Sequence, residues 1–213
     1  MHSKIPFARL LALLLVLIPA VAVAQFRFAP VVGFNVNNLK TKQALVDVGR
    51  TYGFQAGMGG ELMFPGIGFG IDFGLIYNME GAKFDLGSRE IWASQDLGNE
   101  NVMMHMVEIP FHLRFKWTRM NGIEDYIAPF VYGGPEFGIM LGHSRFKGKD
   151  GQHPFKYAGG DLGLAVGGGF EILKRWQISC QYTWGMTYLV KTRKLDDYSA
   201  RNRQLAIRVA YLF

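Results

Sequence analysis

Between Ile67 and Tyr77 every second residue is large and apolar: Ile67, Phe69, Ile71, Phe73, Leu75 and Tyr77. The residues between them are Gly68, Gly70, Asp72, Gly74 and Ile76. A helix would scatter these glycines around its circumference, each costing about 1 kcal/mol relative to alanine. An extended strand instead sorts the segment into one greasy face and one small or polar face. The same division recurs at 107–117, where Val107, Ile109, Phe111, Leu113, Phe115 and Trp117 oppose Glu108, Pro110, His112, Arg114 and Lys116. At 176–190, Trp176, Ile178, Cys180, Tyr182, Trp184, Met186, Tyr188 and Val190 oppose Gln177, Ser179, Gln181, Thr183, Gly185 and Thr187. The last segment sets Leu205, Ile207, Val209, Tyr211 and Phe213 against Ala206, Arg208, Ala210 and Leu212. Weaker alternation at about 26–36, 52–64, 126–141 and 160–172 brings the expectation to eight strands. Several exceed the five or six residues usual in soluble sheets and suit the ~9–11 residues of a tilted membrane strand.

Alternation alone does not say which face points inward. A soluble ligand-binding barrel alternates too, with its large apolar residues in the lumen and charges outside. Here the non-greasy face is rich in glycine and carries few charges per strand, which would make a poor soluble exterior. An eight-stranded lumen is just wide enough to be filled by side chains. Glycines and a few paired charges fit it, whereas Phe, Trp and Tyr from every strand would overfill it. The greasy face is therefore expected to face lipid, in an eight-stranded antiparallel up-and-down transmembrane β-barrel with a narrow, side-chain-filled lumen. The connections alternate in length: long near 37–51, 80–102, 143–157 and 191–200, short at Pro65-Gly66, 118–125 and 173–175. Outer-membrane barrels pair long extracellular loops with short periplasmic turns, so both termini are expected on the periplasmic side. Aromatics collect near the predicted strand ends, with Phe28, Phe64, Trp117, Trp176 and Phe213 below and Tyr52, Tyr77 and Tyr188 above, as in the girdles at lipid headgroups.

The N-terminal segment fits export. Lys4 and Arg9 precede the apolar run Leu10 to Val23, which ends in Ala22-Val23-Ala24 before Gln25. That is the pattern of a secretory signal peptide, predicted to be cleaved after Ala24 to leave a barrel domain of residues 25–213. The run falls short of the ~20 residues of a spanning helix, and no cysteine follows it to be acylated. Removing this segment leaves 21 basic against 17 acidic residues. So mild an excess, not gathered into an aromatic-studded basic stripe, gives no reason to expect a nucleic-acid partner. Cys180 is the single cysteine, which excludes an intramolecular disulfide.

At this point the sequence resembles the PorT-like, "porin family" outer-membrane β-barrel proteins of Bacteroidetes. The resemblance rests on Val32-Gly33-Phe34-Asn35, Val107-Glu108-Ile109-Pro110-Phe111-His112-Leu113 and Pro129-Phe130-Val131-Tyr132-Gly133-Gly134-Pro135. Asp161-Leu162-Gly163, Gly167-Gly168-Gly169-Phe170-Glu171 and the closing Ala210-Tyr211-Leu212-Phe213 extend it over nearly all of the mature chain. It implies an outer-membrane barrel of a Gram-negative cell and little about the task; one branch supports gliding and type IX secretion, and no motif here singles that branch out. It also implies that the barrel-assembly machinery reads the final strand, which ends at Phe213.

Under this topology Glu61, Asp72, Glu108, His112, Arg114, Lys116, Glu136, Asp161, Glu171 and Arg208 share the narrow interior. Buried charges must be paired to be tolerated, so these residues make either a structural salt-bridge plug or the lining of a small gated channel. The glycine clusters at 57–60, 66–70 and 167–169 do not open a helix after a strand, so they lack the context of a dinucleotide fingerprint; strand curvature and lumen room account for them. His143 and His153 have no recognised metal spacing, and nothing fixes Ser144 as a nucleophile beside a base. No catalytic, cofactor or metal site is expected. Loop charge is more suggestive. Arg145, Lys147, Lys149 and Lys156 outnumber Asp150, and Lys191, Arg193, Lys194, Arg201 and Arg203 outnumber Asp196 and Asp197. The segment 80–102 is acidic, with Glu80, Asp85, Glu90, Asp96 and Glu100. Arg193, Lys194, Arg201 and Arg203 are candidate contacts for lipopolysaccharide phosphates, alongside the reading of ordinary solvated loop charge. Two roles stay open: a non-enzymatic barrel with a structural or secretion- or motility-accessory role, with an envelope partner unidentified, or a narrow channel or small-ligand transporter.

Overall fold

The computed structural model describes residues 25–41, 47–85, 99–144, 155–157, 159–187, 190–192 and 199–213. Eight long strands follow one another: β1 (Gln25–Thr41), β3 (Thr51–Met63), β4 (Phe69–Asp85), β5 (Asn99–Lys116), β6 (Ile127–His143), β8 (Gly160–Ile172), β9 (Trp176–Gly185) and β11 (Ser199–Tyr211). Three short segments, β2 (Asp47–Gly49), β7 (Phe155–Tyr157) and β10 (Val190–Thr192), extend the sheet near the long loops. Each long strand pairs antiparallel with its neighbour in sequence, and β1 also pairs with β11, with Phe34 opposite both Phe54 and Ile207. The sheet therefore closes on itself and leaves its long strands no free edge, as a spanning β-structure requires.

The alternation in the sequence is the alternation in space. Phe69, Leu75, Phe111, Leu113, Val166, Phe170, Ile178, Leu205 and Ile207 lie exposed on the outside, and the residues between them turn inward. Rings meet at the short-turn end, with Phe26 edge-on to Phe28 (4.2 Å), Phe115 to Trp117 (4.8 Å) and Trp176 to Tyr211 (4.8 Å). At the other end Phe34 stacks on Tyr52 (5.7 Å) and Tyr182 meets Trp184 edge-on (4.7 Å). Tyr188, expected in that upper girdle, lies outside the described residues.

Boundaries depart from the sequence expectation where the greasy face runs out. The hairpin of β4 and β5 continues to Asp85 opposite Asn99, so the flanks of the expected 80–102 loop are strand. Its outward residues there, Met79, Gly81 and Lys83, no longer read as an apolar row. Likewise 37–41 belongs to β1. Ile67, expected in a strand, lies in the turn before Phe69, where Gly66 and Gly68 hold φ of 85° and 75°. In the tightest turn, Leu173 and Lys174 both take left-handed φ (51° and 59°) and Arg175 N–H donates to Ile172 O at 3.1 Å. That twist matches the flanking strands, as in two-residue hairpins generally. Phe213 N–H donates to Phe28 O (2.9 Å), tying the C-terminus to β1.

Candidate functional site

The lumen is where polar groups converge. At the short-turn end, β1, β3, β4, β5, β8 and β9 each project a polar side chain to one place. Arg114 Nη1 meets Glu61 Oε2 and Arg114 Nε meets Asp72 Oδ2, both at 2.8 Å. Lys116 Nζ lies 3.2 Å from Glu61 Oε1 and 3.1 Å from Glu171 Oε2. Arg27 Nη2 pairs with Glu61 and, at 2.8 Å, with Glu171 Oε2. Gln177 Nε2 donates to Glu61 Oε2 (2.7 Å) and Glu171 Oε2 (3.0 Å). Three cations thus face three carboxylates, and the Arg114 guanidinium also sits 4.1 Å from the centre of the Phe130 ring.

Further in, Arg208 forms a second centre. Its Nε donates to Gln55 Oε1 (2.6 Å) and its Nη1 to Gln181 Oε1 (2.7 Å). Its Nη2 stands 3.6 Å from Glu108 and 3.7 Å from Glu136. Glu136 accepts from Gln181 Nε2 (2.8 Å) and Thr183 Oγ1 (2.9 Å), with His112 Nε2 at 3.3 Å. The His112 ring stacks on Tyr132 at 5.2 Å. A cavity of about 80 Å³ separates the two centres, bordered by Asp72, Arg114, His112, Tyr132 and Arg208. Toward the long loops the network becomes a chain of amides. Asn37 donates to Asn35 (2.7 Å), Asn35 to Asn78 (2.6 Å), and Gln204 to Asn37 (2.8 Å). Gln55 donates to Gln204 at 3.0 Å, joining this chain to Arg208.

Of the ten residues assigned to the lumen, Glu61, Asp72, Arg114, Lys116 and Glu171 meet in the first centre, and Glu108, His112, Glu136 and Arg208 in the second. Asp161 stands apart at the long-loop end, bonded to Thr187 Oγ1. Sequence reasoning missed Arg27, Glu80 and the amide chain. Parity gave the signal: Arg27 alternates with Phe26 and Phe28, and Glu80 continues the inward row of Ile76 and Asn78. Glu80 is buried (3% exposed), which corrects its placement in an acidic loop. Also unforeseen is how much apolar bulk the lumen accepts, with Phe130, Met104 and Met106 fully buried. Neighbouring glycines make the room: a Cβ on Gly167 would stand 2.6 Å from the Tyr132 ring.

Arg201 and Arg203 continue the outward row of β11 beyond Leu205, at the long-loop end of the greasy band. Arg193 and Lys194 lie outside the described residues, as does His153. The Ser144 hydroxyl is held by the backbone of Met103, accepting from its N–H (2.8 Å) and donating to its C=O (3.3 Å). His143 Nδ1 faces Ser144 O (3.1 Å) rather than the hydroxyl. Among the described residues no group of three or more His, Cys, Asp or Glu is placed to hold a metal ion.

A family model for the outer membrane protein beta-barrel domain matches residues 23–191. This chain belongs to that family. Among solved structures it is similar to the outer membrane protein OprG from Pseudomonas aeruginosa, at 11% identity over 89% of this chain and 97% of that one, with a TM-score of 0.54. It is also similar to Ail, the attachment invasion locus protein of Yersinia pestis, solved with the heparin analogue sucrose octasulfate (16% identity, 89% and 99% covered, TM-score 0.47). A third match is the outer membrane enzyme PagL (10% identity, 83% and 97% covered, TM-score 0.37). At these identities the likenesses bear on fold alone. No curated protein matches the sequence. Family membership makes the chain an outer-membrane β-barrel, and its exposed apolar exterior is the lipid-facing surface that location demands.

Proposed function

We propose that this barrel is a plugged, non-enzymatic scaffold that acts through its rim in a structural or secretion- or motility-accessory role, and does not serve as a conduit. The observation that carries the reading is the six-charge centre of Arg27, Arg114, Lys116, Glu61, Asp72 and Glu171, which ties one end of the lumen across from β1 to β5 and β8. Opening a path there means separating buried ion pairs, and breaking one such pair costs about 3–5 kcal/mol. In this reading residues 1–24 are a cleaved signal peptide, the short turns and termini face the periplasm, and the long loops face outward. The outward Tyr211 and Phe213 are then what the assembly machinery reads, and the chain sits with the PorT-like barrels. Arg201 and Arg203, on the outward row of β11, would meet lipopolysaccharide phosphates in this reading, together with Arg193 and Lys194 of the neighbouring loop sequence. Planar-bilayer recording of the refolded protein tests the plug. Silence is expected; discrete, reproducible openings would overturn the reading in favour of a narrow channel. Neutralising the four basic residues together should reduce lipopolysaccharide co-purification, and unchanged co-purification would remove that partner.

A further inference from the structure

On the outer wall toward the long loops, a polar pair interrupts the apolar rows. Tyr77 Oη and His105 Nδ1 lie 2.5 Å apart, and their rings stack at 6.0 Å. The Phe54 ring packs against Tyr77 at 5.5 Å. Both residues are half-buried and belong to outward rows, Tyr77 following Leu75 on β4 and His105 preceding Val107 on β5. His105 pairs across the sheet with Met79 on β4 and with Gly142 on β6. The β5–β6 ladder shifts register between His105 and Met106, and bulges of this kind re-aim side chains. A Cβ on Gly142 would meet nothing within 4 Å, so the wall beside the imidazole is open to an approaching group.

The pair carries one hydrogen more than it can use. A neutral imidazole has one N–H and a phenol one O–H. The Oη–Nδ1 bond takes up one of them, whichever group donates it. The other is left over, on Nε2 or on Oη, and meets no acceptor among the described residues. Protonating the imidazole would leave two such hydrogens and add a positive charge. A donor on a lipid-facing wall is costly unless the membrane supplies its acceptor, and an anionic oxygen gains most from two donors and a positive charge. Lys83 continues the row of Met79 about 13 Å farther along β4 and is exposed, placing a fixed cation toward the headgroups. We propose that Tyr77 and His105 bind a phosphate of outer-leaflet lipopolysaccharide, on the lipid A moiety. The choice of leaflet rests on the outward-facing long loops proposed above. This contact is separate from Arg201 and Arg203, because β5 lies four strands from β11 in either direction around the barrel.

Nitrogen-15 NMR of the histidine rings tests this in dodecyl maltoside micelles, whose headgroup carries no phosphate, during titration with diphosphoryl lipid A. The His105 ring resonances, assigned by their absence from H105F, should shift saturably. The midpoint should rise about tenfold or more in Y77F, which loses one donor to a charged group, and stay unchanged in R201Q/R203Q. Folding of each variant is checked by its heat-modifiable gel mobility. An unchanged midpoint in folded Y77F overturns the proposal, as does loss of the shift in folded R201Q/R203Q, which would put the lipid on β11. Equal binding of fully dephosphorylated lipid A means an ester or sugar oxygen is the acceptor, and equal binding of phosphatidylglycerol means any lipid phosphate serves; either overturns the assignment. Orientation is read separately, by labelling S144C in a C180S background with a membrane-impermeant maleimide on intact cells. Labelling only after the outer membrane is permeabilised, with micellar binding intact, would turn the barrel over and remove lipopolysaccharide as the ligand.

Discussion

Arg114 is the residue whose loss should be felt most, and the structure sets the size of the effect. Its side chain is 7% exposed and bonds Glu61 and Asp72 at 2.8 Å each. Replacing it with methionine keeps most of the volume over Phe130 and removes the charge. The two carboxylates are not left equally exposed to that loss. Glu61 retains Arg27, Lys116 and Gln177, whereas among the described residues Asp72 loses its one paired cation, and its Oδ1 already lacks a hydrogen-bond partner there. Removing one partner of a buried pair costs about 3–5 kcal/mol. The lower end is expected because Asp72 is the more accessible member, at 15%. About 3 kcal/mol is a shift of more than a hundredfold in the folded-to-unfolded ratio, at ~1.4 kcal/mol per tenfold.

Urea unfolding of the refolded barrel in vesicles, followed by tryptophan fluorescence, measures this directly. R114M should lower the midpoint at unchanged denaturant slope, and adding D72N to R114M should recover much of the loss by removing the stranded carboxylate. Lys174 and Asp125 offer a contrast, with a 2.6 Å pair whose side chains are 60% and 57% exposed. K174M should cost less than about 1 kcal/mol, as solvent-exposed pairs do. An R114M loss below about 1 kcal/mol, or a double variant less stable than R114M alone, would refute the claim that Asp72 is held by Arg114.

Three further outcomes follow from the two faces of the wall. Val32 lies outward (59% exposed) within the apolar row of β1; V32R should destabilise by about 2–4 kcal/mol if it sits near the bilayer midplane, and a loss under 1 kcal/mol in vesicle unfolding would contradict its lipid exposure. Cys180 is exposed on the same greasy surface, so in vesicles it should react with a lipophilic maleimide and resist a charged one; rapid labelling by the charged reagent would show that the surface is wet. A Cβ at Gly167 meets the Tyr132 ring at 2.6 Å, so G167A should cost about 1–3 kcal/mol from overpacking. Tyr132→Leu in the same chain should relieve part of that loss, and strict additivity in unfolding midpoints would sink the assignment.

The architecture was legible because its governing signal is local and repeated. A tilted strand with lipid on one side and a filled lumen on the other writes its period into adjacent residues, as Phe69 to Tyr77 does. The signal fades where a strand leaves the apolar band. Met79, Gly81 and Lys83 on the outer row of β4 made strand look like loop, and Glu80 was misplaced with them. The grouping of lumen charges was less legible. Arg27 and Glu171 are 144 residues apart in sequence, and their meeting depends on closure of the barrel between β1 and β11 and on the stagger of every strand between. Parity tells which face a residue takes; only the register tells which residues share a level.

That register gives the plug a second role. Slipping β5 by one residue against its neighbours would turn Glu108, His112, Arg114 and Lys116 toward lipid and bring Phe111 and Leu113 inside. For Arg114 and Lys116, charge on the lipid face costs about 2–4 kcal/mol each near the midplane and less toward the interfaces. Slippage would also take Arg114 from Asp72 and leave Glu61 and Glu171 with Arg27 in place of their full set of cations. A glycine-rich wall such as β8, with Gly167, Gly168 and Gly169 in succession, specifies its own register weakly because both faces there are small. Its pairing with β9 is therefore fixed from the ends, by Glu171 and Gln177 in the six-charge centre and by Asp161 bonded to Thr187 at the other limit. Replacing Glu171 and Gln177 together by apolar residues should accordingly do more than lower stability. It should broaden the amide NMR resonances of β8 and β9 while leaving those of β4 and β5 sharp. Uniform sharpness across all the strands would mean that the polar lumen contributes energy but does not select the register.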